Sequence, residues 1–160
     1  MPPAFRAIGR WVTLVQLVGY TTALIYVWQT TRLVPAGIVD HYRGSDAIEG
    51  AMQFPKSFSE MLTITHTHML GMVVIFALSG VFLALCERVP EGRKRFLIIE
   101  PFVALLVSFS AMWLMRYADP RFSILLALSS GLMAATFYLQ SALILRELGF
   151  RDRAQPGAES

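Results

Sequence analysis

The chain has 160 residues, of which 55% are hydrophobic and 16% charged, too apolar a balance for a soluble domain of this length and a fitting one for a single small membrane bundle. The net charge of +3 does not imply nucleic acid as a partner, because the basic residues sit in short segments beside apolar stretches, where membrane topology accounts for them. The one cysteine, Cys86, excludes an intrachain disulfide, a thiolate zinc cluster and a CxxCH attachment of c-type haem.

In chain order, the first apolar stretch runs from Trp11 to Thr31 after a basic segment holding Arg6 and Arg10. It reads as a retained membrane span, since it is longer than the apolar region of a secretory signal and the Val34-Pro35-Ala36 that follows is a poor cleavage site. A connection of residues 32–60 leads to the second stretch, Met61 to Cys86; Ser57 and Glu60 have capping-box spacing and predict a helix start near Phe58. The third stretch, Phe102 to Met115, reaches a full span once Phe96 to Ile99 is added across Glu100 and Pro101, and the fourth runs from Phe122 to Leu145. Each then meets the roughly 20 residues that a helix needs to cross the hydrocarbon.

The expected fold is all-α, an integral membrane four-helix up-down bundle. Residues 1–10 form an N-terminal segment, 11–149 the transmembrane domain with its loop at 32–60, and 150–160 a disordered tail. Short links at Glu87 to Arg95 and Arg116 to Arg121 predict antiparallel neighbours. The basic residues favour both termini, with Arg93, Lys94 and Arg95, on the cytoplasmic side. Small residues four apart, Gly80 with Ala84, Ser130 with Ala134 and Gly131 with Ala135, suit close helix approach.

On that topology all three histidines, His41, His66 and His68, lie toward the outer face. An imidazole at the hydrocarbon edge is costly without a partner, which makes it a functional candidate. His66 and His68 are two residues apart and point about 200° apart on a helix, so they cannot grip one ion together. His68, with Gly71 one turn beyond it, is expected to face inward as an axial ligand of haem b, paired with His41, His66 or a methionine. Arg116 and Arg43 are placed to bond haem propionates. Met52, Met61, Met69, Met72, Met112 and Met115 fall in the same half, and His68 with Met72 has i, i+4 spacing, so copper or zinc at His68, His66, His41 and Met72 is the alternative. Asp40-His41-Tyr42-Arg43-Gly44 is the densest polar run of the long loop, with Gly44 allowing it to fold back over the bundle. Tyr26, Trp28, Phe54 and Phe58 are expected in an aromatic belt there, Glu100 in an interfacial ion pair, and Gln140 in a bond to a neighbouring helix.

The combination His41-Tyr42-Arg43-Gly44, Pro55-Lys56-Ser57-Phe58 and Thr65-His66-Thr67-His68 resembles a family of small four-helix bacterial inner-membrane proteins. That resemblance covers the long loop and the second span; it implies a bacterial inner (plasma) membrane and brings no activity with it. Nothing in the sequence resembles a nucleotide loop, a catalytic triad or the zinc-peptidase motif, and whether the chain is an enzyme stays open on sequence. Three classes remain: a single-haem electron-transfer subunit, a periplasm-facing copper- or zinc-binding membrane protein, and an accessory subunit of a larger membrane complex. The partners expected are the lipid bilayer and other membrane subunits or further copies of this chain, with no nucleic acid.

Overall fold

The computed structural model describes residues 2–45 and 53–153; the 154–160 part of the expected disordered tail, and Met52, lie outside the described residues. Among the described residues five helices follow in order: α1 (Pro3–Thr31), α2 (Pro35–Arg43), α3 (Phe58–Ala84), α4 (Glu91–Tyr117) and α5 (Phe122–Arg153). Four of them, all but α2, are long and apolar enough to cross a membrane, which bears out the all-α membrane bundle.

Local chemistry explains the boundaries. At the start of α3, the Ser57 hydroxyl accepts from the Glu60 backbone N–H (3.3 Å) and the Glu60 carboxylate accepts from the Ser57 N–H (2.7 Å), a complete capping box where the spacing predicts one. α1 begins earlier than its apolar stretch, at Pro3, whose preset φ suits a first helical position. The connection of residues 32–60 also contains a helix where the sequence reads as loop: α2 has Pro35 at its start and ends at Gly44. Gly44 has φ 87°, and a Cβ there would lie 2.6 Å from the Gln53 carbonyl, so only glycine allows this turn. Beyond it the chain folds back over the bundle end. Ser45 and Gln53 exchange backbone bonds (3.0 and 3.3 Å), and the Lys56 N–H donates to the Tyr42 carbonyl (2.9 Å).

α4 and α5 make the most extensive helix pair, α3 packs on both, and α1 lies mainly against α5, touching α3 least. Consecutive spans are thus neighbours from α3 onward, while α1 closes against the last helix. Two buried clusters hold the spans together. One joins Tyr20, Phe76, Ala104, Leu105, Met133 and Phe137 at mid-bundle; the other joins Phe82, Leu83, Cys86, Val89, Leu97, Ile144 and Leu148 near the Arg93 end. Of the small residues, Gly80 meets Ile98 of α4 at ordinary contact distance, whereas Gly131 faces open space.

Candidate functional site

The His41 end of the bundle is braced by its own basic residues. Arg43 of α2 donates through Nη1 to the Met115 carbonyl (3.1 Å), satisfying a C-terminal group of α4. Arg116 donates through Nε to the Lys56 carbonyl (3.0 Å), and its guanidinium lies 4.9 Å from the Tyr117 ring centre. Arg43 and Arg116 therefore meet at one corner, each using one of its five donors to hold α2 and the chain before α3 onto α4. Beside them Trp113 stacks on Tyr117 and meets Phe58 edge-on, and the Trp113 Nε1–H donates to Thr65 Oγ1 (2.9 Å). The exposed Tyr26, Trp28, Phe54 and Phe58 lie toward the same end, as a membrane-interface belt requires.

His41 is half-buried and lines a cavity of about 510 Å³ with Gln29, Thr30, Gln53, Lys56 and Glu60. Its pKa is lowered, first by burial and then by the charge of Lys56. Burial likewise raises the Tyr42 phenol, with Tyr26 adding to the shift. Lys56 and Glu60 form an i, i+4 ion pair at 3.5 Å in this cavity.

The other two histidines are elsewhere, and the expectation that His68 faces inward is corrected. The buried or half-buried stripe of α3 passes through Met61, Thr65, Met69, Met72 and Phe76, which leaves His68 and His66 exposed on the helix surface. Averaged along its whole length α3 is apolar on every side, so hydrophobicity does not mark its outward face, although Ser59, Thr63, His66 and Thr67 share the exposed side near its start. The His68 Nδ1 lies 2.9 Å from the Ile64 carbonyl. That carbonyl has no proton to give, so Nδ1 carries a hydrogen in this contact, and in the neutral tautomer so defined the lone pair is on Nε2 of the exposed ring. Gly71, one turn on, has nothing within 4 Å of where a Cβ would stand. Met72, in contrast, packs against the Tyr20–Phe76–Phe137 cluster. Among the described residues no three His, Cys, Asp or Glu side chains form a group that could hold a metal ion.

A second polar site lies inside the α4/α5 pair. Pro101 has no N–H, so the Leu97 carbonyl four residues back loses its helical donor. Gln140 of α5 supplies one instead: its Nε2 donates to the Leu97 carbonyl, the interhelical bond expected of it. Only the amide nitrogen can do this, which leaves the Gln140 Oε1 buried without a hydrogen-bond partner. The same is true of both carboxyl oxygens of Glu100, which is 8% exposed. The expected ion pair of Glu100 with the Arg93–Arg95 cluster is not formed; Lys94 pairs with Glu91 at 2.7 Å instead. Glu100 sits in the wall of an open groove of about 680 Å³, with Phe96, Ile99, Val103, Leu128 and Leu132. A glutamate followed by proline inside an apolar stretch is the one sequence signal for this site.

A membrane-spanning helical bundle with polar groups set into its helix faces is the class that fold and site define. Residues 32–155 match the family Aq_1264_TM, a transmembrane helical domain, and the chain belongs to that family. No curated protein and no solved structure matches the chain.

Proposed function

We propose that this protein is a subunit of a larger bacterial inner-membrane assembly and presents His68 as an axial ligand to one b-type haem at its contact with a partner chain. The observation that supports this reading is the posture of His68. The 27 residues of α3 extend beyond the hydrocarbon at both ends; centred on about 30 Å, the helix places His68 roughly 10 Å inside it. An exposed imidazole at that depth is costly against lipid and favourable against a ligand. Its Nδ1 bond to Ile64 fixes ring orientation as metal-bound histidines are fixed, and the space over Gly71 admits a flat ring.

The haem supplies one-electron transfer when bound. His66 points away from His68 and His41 belongs to the Lys56–Glu60 cavity, so the second axial ligand is assigned to the partner, either another subunit or a second copy. Arg43 and Arg116 are engaged at the bundle end, on the Met115 and Lys56 carbonyls, and are not assigned to this haem. In this proposal the termini are cytoplasmic and the His41 end periplasmic, following the basic residues. A Gly92→Cys label protected from impermeant reagent in intact cells fits this orientation; labelling as fast as at an introduced Ser45→Cys reverses it.

The test of the main reading is the visible spectrum of the tagged protein extracted with its partners in mild detergent. A low-spin b-type Soret band lost in His68→Ala and kept in Leu70→Ala is expected. Wild-type complex that shows no Soret band despite ample haem supply overturns the assignment.

A further inference from the structure

The groove between α4 and α5 is independent of the histidines and lies toward the opposite, Arg93 end of the bundle. At about 680 Å³ it has the size of a small-molecule site, and its walls are apolar apart from very few polar groups. Lipid tails alone would explain an apolar trough, but not its carboxyl. Glu100 is 8% exposed, lines the groove and bonds nothing through either oxygen. Buried polar groups are hydrogen-bonded as a rule, and in hydrocarbon there is no water to stand in. Gln140 does not relieve it, since its own Oε1 is an unpaired acceptor. Three buried acceptor oxygens here thus have no hydrogen-bond partner, and Arg95, which also lines the groove, does not bond Glu100.

We propose that this groove binds a quinol-class amphiphile, a flat ring bearing hydroxyl donors on a long apolar tail, with Glu100 accepting a hydrogen bond from a ring hydroxyl. The tail follows the apolar wall formed by Val103, Leu128 and Leu132. Both carboxyl oxygens are buried in the structure, so the proposed contact requires a rotation about the glutamate side-chain torsions toward the groove. A phospholipid would find Arg95 for its phosphate, since that residue also lines the groove, yet the phosphate gives Glu100 no donor, and lipid binding is therefore one of the outcomes tested below. A quinone has acceptors only, so it gives an ionised carboxylate no hydrogen-bond partner.

The experiment is equilibrium dialysis of the purified full chain in mild detergent against decylubiquinol and, separately, decylubiquinone. Saturable binding of the quinol, about tenfold or more tighter than the quinone, is expected from one hydrogen bond to a buried acceptor. Glu100→Leu should remove that preference while keeping the helical circular dichroism, and Leu132→Trp, which fills the groove, should weaken both ligands. Equal affinity for quinol and quinone in the wild type overturns the proposal without relying on any variant. Equal displacement of the quinol by phosphatidylglycerol also overturns it, leaving a lipid-tail surface. Neither result touches the His68 reading, whose readout is the haem spectrum.

Discussion

The α4/α5 pair contains two polar layers that solve the same problem in opposite ways. In one, Ser130 donates to Ser108 (3.3 Å), Ser108 shares a 2.8 Å bond with Ser129, and Ser129 donates to the Leu125 carbonyl (2.8 Å). Every hydroxyl is used, so this layer fixes helix register and asks for nothing more. In the other, Gln140 repairs the carbonyl freed by Pro101, yet three acceptor oxygens of Gln140 and Glu100 stay unpaired. Gln16 of α1 sharpens the contrast: its amide donates to the Ile75 carbonyl (3.3 Å) and accepts from Ser79 (3.1 Å), so both its nitrogen and its oxygen are bonded. Satisfied layers hold the fold together, and the unsatisfied one is where the quinol-class ligand is proposed.

The largest effect separating the two layers is expected at Gln140. Gln140→Leu strands the Leu97 carbonyl in the interior and should cost about 2 kcal/mol in a detergent unfolding titration. Pro101→Ala restores the missing N–H, so the same substitution in that background should cost much less; equal costs in both backgrounds would deny that the two residues act on one carbonyl. Ser108→Ala removes one link of the closed layer and should cost about 0.6 kcal/mol, the usual worth of a side-chain bond between membrane helices. A larger loss than at Gln140 would invert the comparison.

The smallest expected effect lies away from both layers, at His41. Its pKa is lowered in the fold, so the unfolded chain takes up a proton first as pH falls. The His41 contribution to stability is complete above about pH 6.5 and declines as pH drops from there toward the folded value. His41→Gln should flatten that dependence. A pH profile unchanged by the substitution would show that the imidazole titrates alike in both states.

Residues that act through their near neighbours in sequence were legible. Ser57 and Glu60 announced the start of α3, Gly44 the fold-back, and the apolar runs the four spans. α2 escaped because Asp40, His41 and Arg43 make its sequence look like solvated loop, although Pro35 and Gly44 bracket it with helix start and stop signals. Gln140 was correctly given to a neighbouring helix, but its carbonyl acceptor could not be named, because Leu97 becomes its partner only through the antiparallel register of α4 and α5. The outward posture of His68 was hidden for a different reason. In a membrane span the lipid-facing side is as apolar as the core, so hydrophobicity does not say which side is in.

The attachment of α1 to α5 has a consequence for how the protein is made. Thr21 and Tyr138 share a bond of 2.8 Å across 117 residues of chain, and the Arg10 guanidinium donates to the Leu148 carbonyl (2.7 Å) across 138. At translation rates of about 5–20 residues per second, the first helix enters the bilayer on the order of ten seconds before its main neighbour exists. During that interval its lateral surface, including Tyr20 and Gly9, is open to any other helix nearby. The nascent chain therefore passes through a stage in which an assembly partner or insertion factor has access to a face that the finished bundle closes.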